Sequence, residues 1–316
     1  MDDASSRKKS FKLIFWLTAA KLAFILLTVA AGIWVIYLVT HTAQSDKQAV
    51  SFGRIYGSGF APRSDTFSIA SSSGLYRYSG GTWQRVSKRE TNGKIQFLPV
   101  RQGWLEVDPV SNRVIIRNWT GGRIGSYSLA NSQKGFWAAS YQQAYVVRLT
   151  GDSGHYTIDQ IAPDGTVKQT LHLRSIQGKA QSIALHPTNN RCLAVATRDG
   201  LYVTEDGGVH FKKFFKGKDV TSVAFGFAKQ PLIYAALFDK QSKKTALYTV
   251  YLSHQNTINN LDLATVESDR VTQVVTRSNH PHEIIVRTSN NDAYLTNNYG
   301  NNWIIIAHNG RGLASK

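Results

Sequence analysis

The sequence predicts an all-β body carried behind one N-terminal membrane-spanning helix. Three observations carry that prediction. An uncharged run of 18 residues, LAFILLTVAAGIWVIYLV at 22–39, follows a basic tail. Aromatic residues make up 11% of the chain, and helix-length amphipathic patterns are rare after residue 50. Two stretches, TEDGGVHF at 204–211 and TNNYGNNW at 296–303, fit one template 92 residues apart. Hydrophobic residues at 42% and charged residues at 18% describe a folded chain, not a disordered one.

The N-terminal elements come first. Residues 1–12 form a basic tail, with Arg7, Lys8, Lys9 and Lys12 just ahead of the apolar run. The run at 22–39 matches the length that a bilayer core requires. The apolar stretch before it extends the span to 13–40, interrupted only by Lys21, whose stem can snorkel to the headgroups. Trp16, Trp34 and Tyr37 suit the interfaces. The positive-inside rule keeps the tail in the cytoplasm and places the C-terminal body outside. A cleaved signal peptide would carry a shorter apolar run and an A-x-A-like site, and THTAQSD is a poor match. Residues 41–50 read as a short polar linker and 51–316 as the extracytoplasmic body.

The formal charge is +17, and only five of the 37 basic and two of the 20 acidic residues lie in the tail and span. The body is therefore basic, and anionic wall polymers or lipid headgroups on a bacterial surface are natural counterparts. Topology and the lack of a concentrated Arg/Lys cluster argue against nucleic acid as a partner; the densest run is KKFFKGK at 212–218. The one cysteine, Cys192, excludes an intrachain disulfide and a cysteine-type zinc site, and reads as a buried strand residue.

Within the body, RDGLYVTEDGGVHF aligns without a gap on NNDAYLTNNYGNNW. A third, worn copy is GLYRYSGGTW at 74–83. Each copy reads as strand, tight turn, strand. Gly supplies positive φ in the turn, the Asp or Asn accepts backbone N–H groups, and the closing aromatic packs beneath. Ahead of each hairpin lies a proline (Pro62, Pro187 or Pro281), then a polar turn and a short apolar strand. A less faithful copy carries Pro231. One unit therefore holds about four strands. Phe211 and Trp303 lie two units of 46 apart, and Trp83 and Phe211 three units of about 43. Fillers fall between them, near Ile124, Val167 and Thr257. A 40–50-residue period of four short strands is the signature of a β-propeller blade. Six blades fit best, with five or seven as the alternatives. A strand near Ser51 is expected to join the last blade, and RGLASK at the C-terminus reads as a tail.

The template S/T-x-D-x-G-x-x-W/F resembles the Asp-box, or BNR repeat. Thr204, Asp206, Gly208 and Phe211 match every position. Thr296, Gly300 and Trp303 match, with Asn298 in place of Asp. The body is thus similar to Asp-box β-propellers, which include sialidases, sortilin-type receptors, photosystem II assembly-factor-like proteins and bacterial glycosyl-hydrolase-like surface proteins. It is most similar to the last, membrane-attached group. The resemblance implies a structural role for these eight residues, away from any central site.

Chemistry is harder to find. A sialidase-like site needs three arginines on a carboxylate. Arg54, Arg113, Arg198 and Arg287 are available, but the Arg-Ile-Pro signature is absent and GRIYG at 53–57 only partly evokes it. A glycosidase needs two carboxylates, and the body's glutamates are Glu90, Glu106, Glu205, Glu267 and Glu283. Alternation puts Glu106 and Asp108, in WLEVDPVSN, on one face of a strand, as the candidate catalytic pair. His280, His282 and Glu283 in HPHE lack the i, i+4 spacing of a zincin helix, so no metal and no cofactor is expected. Two readings remain. One is a non-catalytic scaffold that binds a protein or an anionic glycan or wall polymer, with Trp104, Trp119 or Trp137 as exposed contacts. The alternative is a surface glycoside hydrolase or lyase. The sequence favours the first.

Overall fold

The computed structural model describes residues 21, 24–34, 50–61, 66–88, 95–129, 135–141, 145–227, 231–252, 256–263, 269–278 and 280–313. The chain divides into two units, Met1–Ala49 and Val50–Lys316.

In the first unit, residues 24–34 are helical and exposed. Among the described residues no helix is long and apolar enough to cross a membrane. Most of the predicted 13–40 span, the 1–12 tail and nearly all of the 41–50 linker lie outside the described residues.

The second unit is all-β, with six sheets. Five are four-stranded antiparallel meanders, and the sixth has six strands. The first strand of each sheet contacts the first strand of the next, and the sixth returns to the first. This is a six-bladed β-propeller. Its inner strands are Ile55–Phe60, Gln96–Val100, Phe136–Ala139, Ala180–Leu185, Asp219–Phe225 and Val271–Arg277. A single blade cannot cover both of its faces, so the core lies between blades. Six apolar clusters fill six seams. One cluster per seam, including the seam between blades 6 and 1, fixes the count at six and closes the ring.

Closure uses both ends of the unit. Val50–Ser51 pairs antiparallel with Arg311–Gly312, which folds back on Ile304–His308, the fourth strand of blade 6. The strand expected near Ser51 is therefore present. The C-terminal segment is not simply a tail, because Arg311 and Gly312 form the strand that receives it. The Gly310 carbonyl accepts from the amides of Phe52 and Gly53 at 2.8 and 3.2 Å. Gly310 has a φ of 72°, and a Cβ there would lie 2.2 Å from the Gly53 carbonyl oxygen, so only glycine fits.

Polar stitches tie the inner ring. Gln96 donates to the Gly135 carbonyl of blade 3. Gln181 donates to the Val220 carbonyl of blade 5 at 2.7 Å. Gln273 accepts from the Ser58 amide of blade 1 at 2.9 Å. Alternate blades thus place a glutamine near the start of the inner strand and reach forward with it. The prolines sit where the repeat places them: Pro187 and Pro231 lie between the first and second strands of blades 4 and 5, and Pro281 opens the second strand of blade 6. Pro62 lies outside the described residues.

Candidate functional site: the central channel and its mouths

The two matching turns each join the third and fourth strands of a blade, Gly200–Thr204 to Lys212–Phe214 and Ala293–Thr296 to Ile304–His308. Their hydrogen bonding is nearly the same. Thr204 Oγ1 donates to Asp206 Oδ1 at 2.7 Å and accepts from the Gly208 amide at 2.9 Å. Thr296 Oγ1 donates to Asn298 Oδ1 at 2.9 Å and accepts from the Gly300 amide at 3.0 Å. Asp206 Oδ1 then accepts from the amides of Val209 and His210, and Asn298 Oδ1 from the amide of Asn302. Gly208 and Gly300 have φ of 97° and 84°, and each lies against a leucine on the outer strand of the preceding blade.

The closing aromatics wedge the same joints. Phe211 packs into the seam between blades 3 and 4, and Trp303 into that between blades 5 and 6. Trp303 Nε1 donates to the Asp262 carbonyl at 2.9 Å. Trp83, from the worn copy, enters the seam between blades 6 and 1 and donates to the Leu313 carbonyl at 3.0 Å. All three turns face the outer rim and leave the channel untouched.

The backbone amide of His210, the Thr204 hydroxyl and the His210 ring hold the Asp206 carboxyl well below the usual carboxylate range. Its stabilising effect is therefore present above about pH 4 and is lost as the pH falls below that. Asp206→Asn should keep the turn, as Asn298 does in its counterpart, and flatten the acid limb of the stability–pH curve. Thr204→Val should cost about 1–2 kcal/mol, because it orphans the part-buried Gly208 amide. Urea unfolding of both variants from pH 3 to pH 7 is the check, and an unchanged acid limb in Asp206→Asn would contradict the assignment.

Each member of the predicted acid pair is engaged by other partners. Glu106 lies on the second strand of blade 2, Gly103–Asp108, and is 5% exposed. Its Oε1 accepts from Arg117 Nε on the neighbouring strand at 2.5 Å. Asp108 closes the following turn, taking the Val110 and Ser111 amides on Oδ1 and the Ser111 hydroxyl on Oδ2. Neither lines the channel. Glu90 and Glu267 lie outside the described residues. The proposed tryptophan contacts are also corrected. Trp104 and Trp137 are buried at 1% and 4% exposure, and Trp119 packs on Trp104 with centroids 5.1 Å apart. Large aromatics fill seams here. Cys192 is buried one residue ahead of the Leu193–Thr197 strand, and burial pushes its thiol up to about 12.

His280, His282 and Glu283 do come together, with ligand atoms within 4.8 Å of one another. Both oxygens of Glu283, however, accept from Arg277 Nη1, at 2.8 and 2.6 Å. The buried guanidinium already neutralises the carboxylate a metal would need.

The channel itself is a cavity of about 370 Å³ lined by all six inner strands. Among the described residues that line it there is no Asp or Glu. The end where the inner strands begin opens into a second cavity of about 290 Å³ lined by Lys179, Arg198 and Arg270. Arg270 is balanced by Asp219 at 3.1 Å. Among the described residues, Lys179 and Arg198 are exposed and have no ion-pair partner. Of the four arginines named from sequence, Arg113 sits on the third strand of blade 2 facing Ser126, and Arg54 is exposed just ahead of Ile55. Arg287 enters the channel wall. Sequence reading named Arg287 only as one arginine among several. The polar start and the aromatic finish of the channel were missed, although the recurrent glutamines and the FGF run at 225–227 mark them.

No family model matches the chain, and no curated protein matches it in sequence. Solved structures do match in fold. The Pan2 WD40 domain of Neurospora crassa aligns with a TM-score of 0.53 and 14% identity, over 81% of this chain and 83% of that one. The Cps50 (Swd1) β-propeller domain of Myceliophteria thermophila aligns at 0.52 and 11%, over 77% and 95%. The GH74 enzyme of Niastella koreensis aligns at 0.51 and 13%, over 82% of this chain and 47% of that one. A likeness spread over WD40 domains and a glycoside hydrolase, at such low identity, is one of architecture: the chain carries a six-bladed β-propeller.

Proposed function

We propose that this protein is a non-catalytic binding scaffold, held at a membrane by its N-terminal segment, whose propeller presents a basic mouth to an anionic surface polymer or a protein outside the cell. The observation that carries the reading is the charge pattern of the channel. Its described lining has no carboxylate, while Lys179 and Arg198 stand at one mouth beside Arg270 with no ion-pair partner among the described residues. Glycoside hydrolysis by the usual route needs two carboxylates facing one bond. Glu106 and Asp108 are instead engaged with Arg117 and with a turn. The uncharged run at 22–39 behind Arg7, Lys8, Lys9 and Lys12 supports the anchor and its orientation. The Asp-box resemblance of the two rim turns fits a scaffold equally well, since those residues brace blades.

The test uses the full chain with a polyanionic wall polymer of the glycerol-phosphate type and a panel of neutral glycans, over a salt series. Binding of the polyanion should weaken steadily as salt rises, with no release of reducing ends. Charge reversal at Lys179 and Arg198 together should weaken it about tenfold, mostly through the association rate. Release of reducing ends from any glycan would replace this reading with the hydrolase one.

A further inference from the structure

The channel has two unlike halves. Starts of inner strands meet starts: Arg270, just ahead of Val271, reaches Asp219 and Gln181. Ends meet ends: Thr276 donates to the Phe225 carbonyl, and Tyr141 stacks edge-on with Phe227 at 4.7 Å. The six inner strands therefore run the same way, from the basic mouth to the other. The first half carries Arg287, which pairs across from Gln273. The second half is lined by Phe60, Tyr141, Leu185, Pro187, Phe225 and Phe227.

Arg287 is under-satisfied. Its Nη1 donates to the Ile55 carbonyl at 2.7 Å, which ties blade 6 to blade 1. Its Nε is buried without an acceptor. Among the described residues, no carboxylate forms an ion pair with it. Burial, and then the nearby charge of Arg54, push the guanidinium down to about 10, so it remains protonated at neutral pH. A positive charge inside a channel with no acid is costly, and an incoming anion removes that cost. The planar fork suits a carboxylate held by two parallel hydrogen bonds.

From the level of Gln273 to that of Phe225 is about four residues of strand, or roughly 13 Å. The reach is that of a medium-length acyl chain. The cavity falls within the size range of small-ligand sites, roughly 300–1,000 Å³. We propose that the channel binds an amphipathic carboxylate, with its head on Arg287 and its apolar chain against Phe60, Leu185, Phe225 and Phe227. This ligand would sit inside the ring, and the proposal does not rest on the scaffold reading, which concerns the exposed mouth.

Calorimetric titration of the full chain tests it, with decanoate, decanol, acetate and decyl phosphate as probes. Decanoate should bind one to one and at least tenfold tighter than decanol, and acetate should not bind measurably. Arg287→Met should reduce decanoate to the level of decanol. Phe227→Ser should weaken decanoate and decanol together. Any uptake by the apolar N-terminal segment is common to wild type and variants, so the difference between them reports the channel. Equal binding of decanoate and decanol, or equal decanoate binding by wild type and Arg287→Met, overturns the proposal. A tenfold preference for decyl phosphate over decanoate overturns the carboxylate head. Should Arg287→Met fail to fold, Phe227→Ser decides the matter, and unchanged decanoate binding there counts against the site. Salt-dependent polymer binding at the mouth can succeed or fail independently of each of these results.

Discussion

Phe52→Ala is expected to destabilise the propeller by about 3–5 kcal/mol, the range for removing a fully buried phenylalanine. Phe52 is 0% exposed and lies between the closing strand Val50–Ser51 and the first inner strand. Its ring meets Tyr76 and Trp83 edge-on, with centroids 4.9 and 4.8 Å away. Its amide donates to the Gly310 carbonyl. Five of the six seams join blades that follow one another in the chain. The seam between blades 6 and 1 joins the two ends of the unit, so closing it orders the longest loop in the molecule. A cavity there weakens the contact on which the ring depends. Urea denaturation followed by tryptophan fluorescence measures the effect. A loss below 1 kcal/mol in Phe52→Ala would mean that the seam is held mainly by its backbone pairing.

Much of this architecture was legible because blades repeat. Thr204, Gly208 and Phe211, and their counterparts Thr296, Gly300 and Trp303, recur because one joint between neighbouring blades is built the same way twice. Their spacing gave the period and, with it, the blade count. Blades 2, 3 and 5 carry no such turn and are placed only by interpolation. What stayed illegible depends on which blades face each other across the ring. Glu106 and Asp108 alternate correctly for one strand face, yet pairing with Arg117 takes one and a turn takes the other. Trp104 and Trp137 looked available as contacts, but a seam between two sheets needs large side chains, and these supply them. Arg287 is distant in sequence from both Ile55 and Phe227. Only ring closure brings it to the start of the channel that Phe227 ends.

Glu106→Ala is the second change with a large expected effect, again about 3–5 kcal/mol, and it bears directly on the enzymatic alternative. Glu106 and Arg117 have side-chain exposures of 6% and 15% and share a hydrogen bond across adjacent strands. Arg117 also donates to the Gly121 carbonyl at 2.9 Å. Removing the acid leaves a guanidinium in the seam between blades 1 and 2 without its counter-charge, and breaking a buried pair from one side is strongly destabilising. Removing both partners is far less costly, because the pair's own desolvation is also relieved, so Glu106→Met combined with Arg117→Met should recover most of the loss. Asp108→Ala should cost only about 1 kcal/mol, the value of a partly exposed turn hydrogen bond. Denaturant unfolding of wild type, Glu106→Met, Arg117→Met and the double variant closes the cycle. The comparison matters because loss of function in a Glu106 variant is easily taken as evidence of catalysis. If Glu106→Ala unfolds early and the double variant regains both stability and ligand binding, Glu106 acts as a structural charge. If Glu106→Ala instead keeps wild-type stability while abolishing turnover of a glycan, the acid is catalytic and the scaffold reading fails.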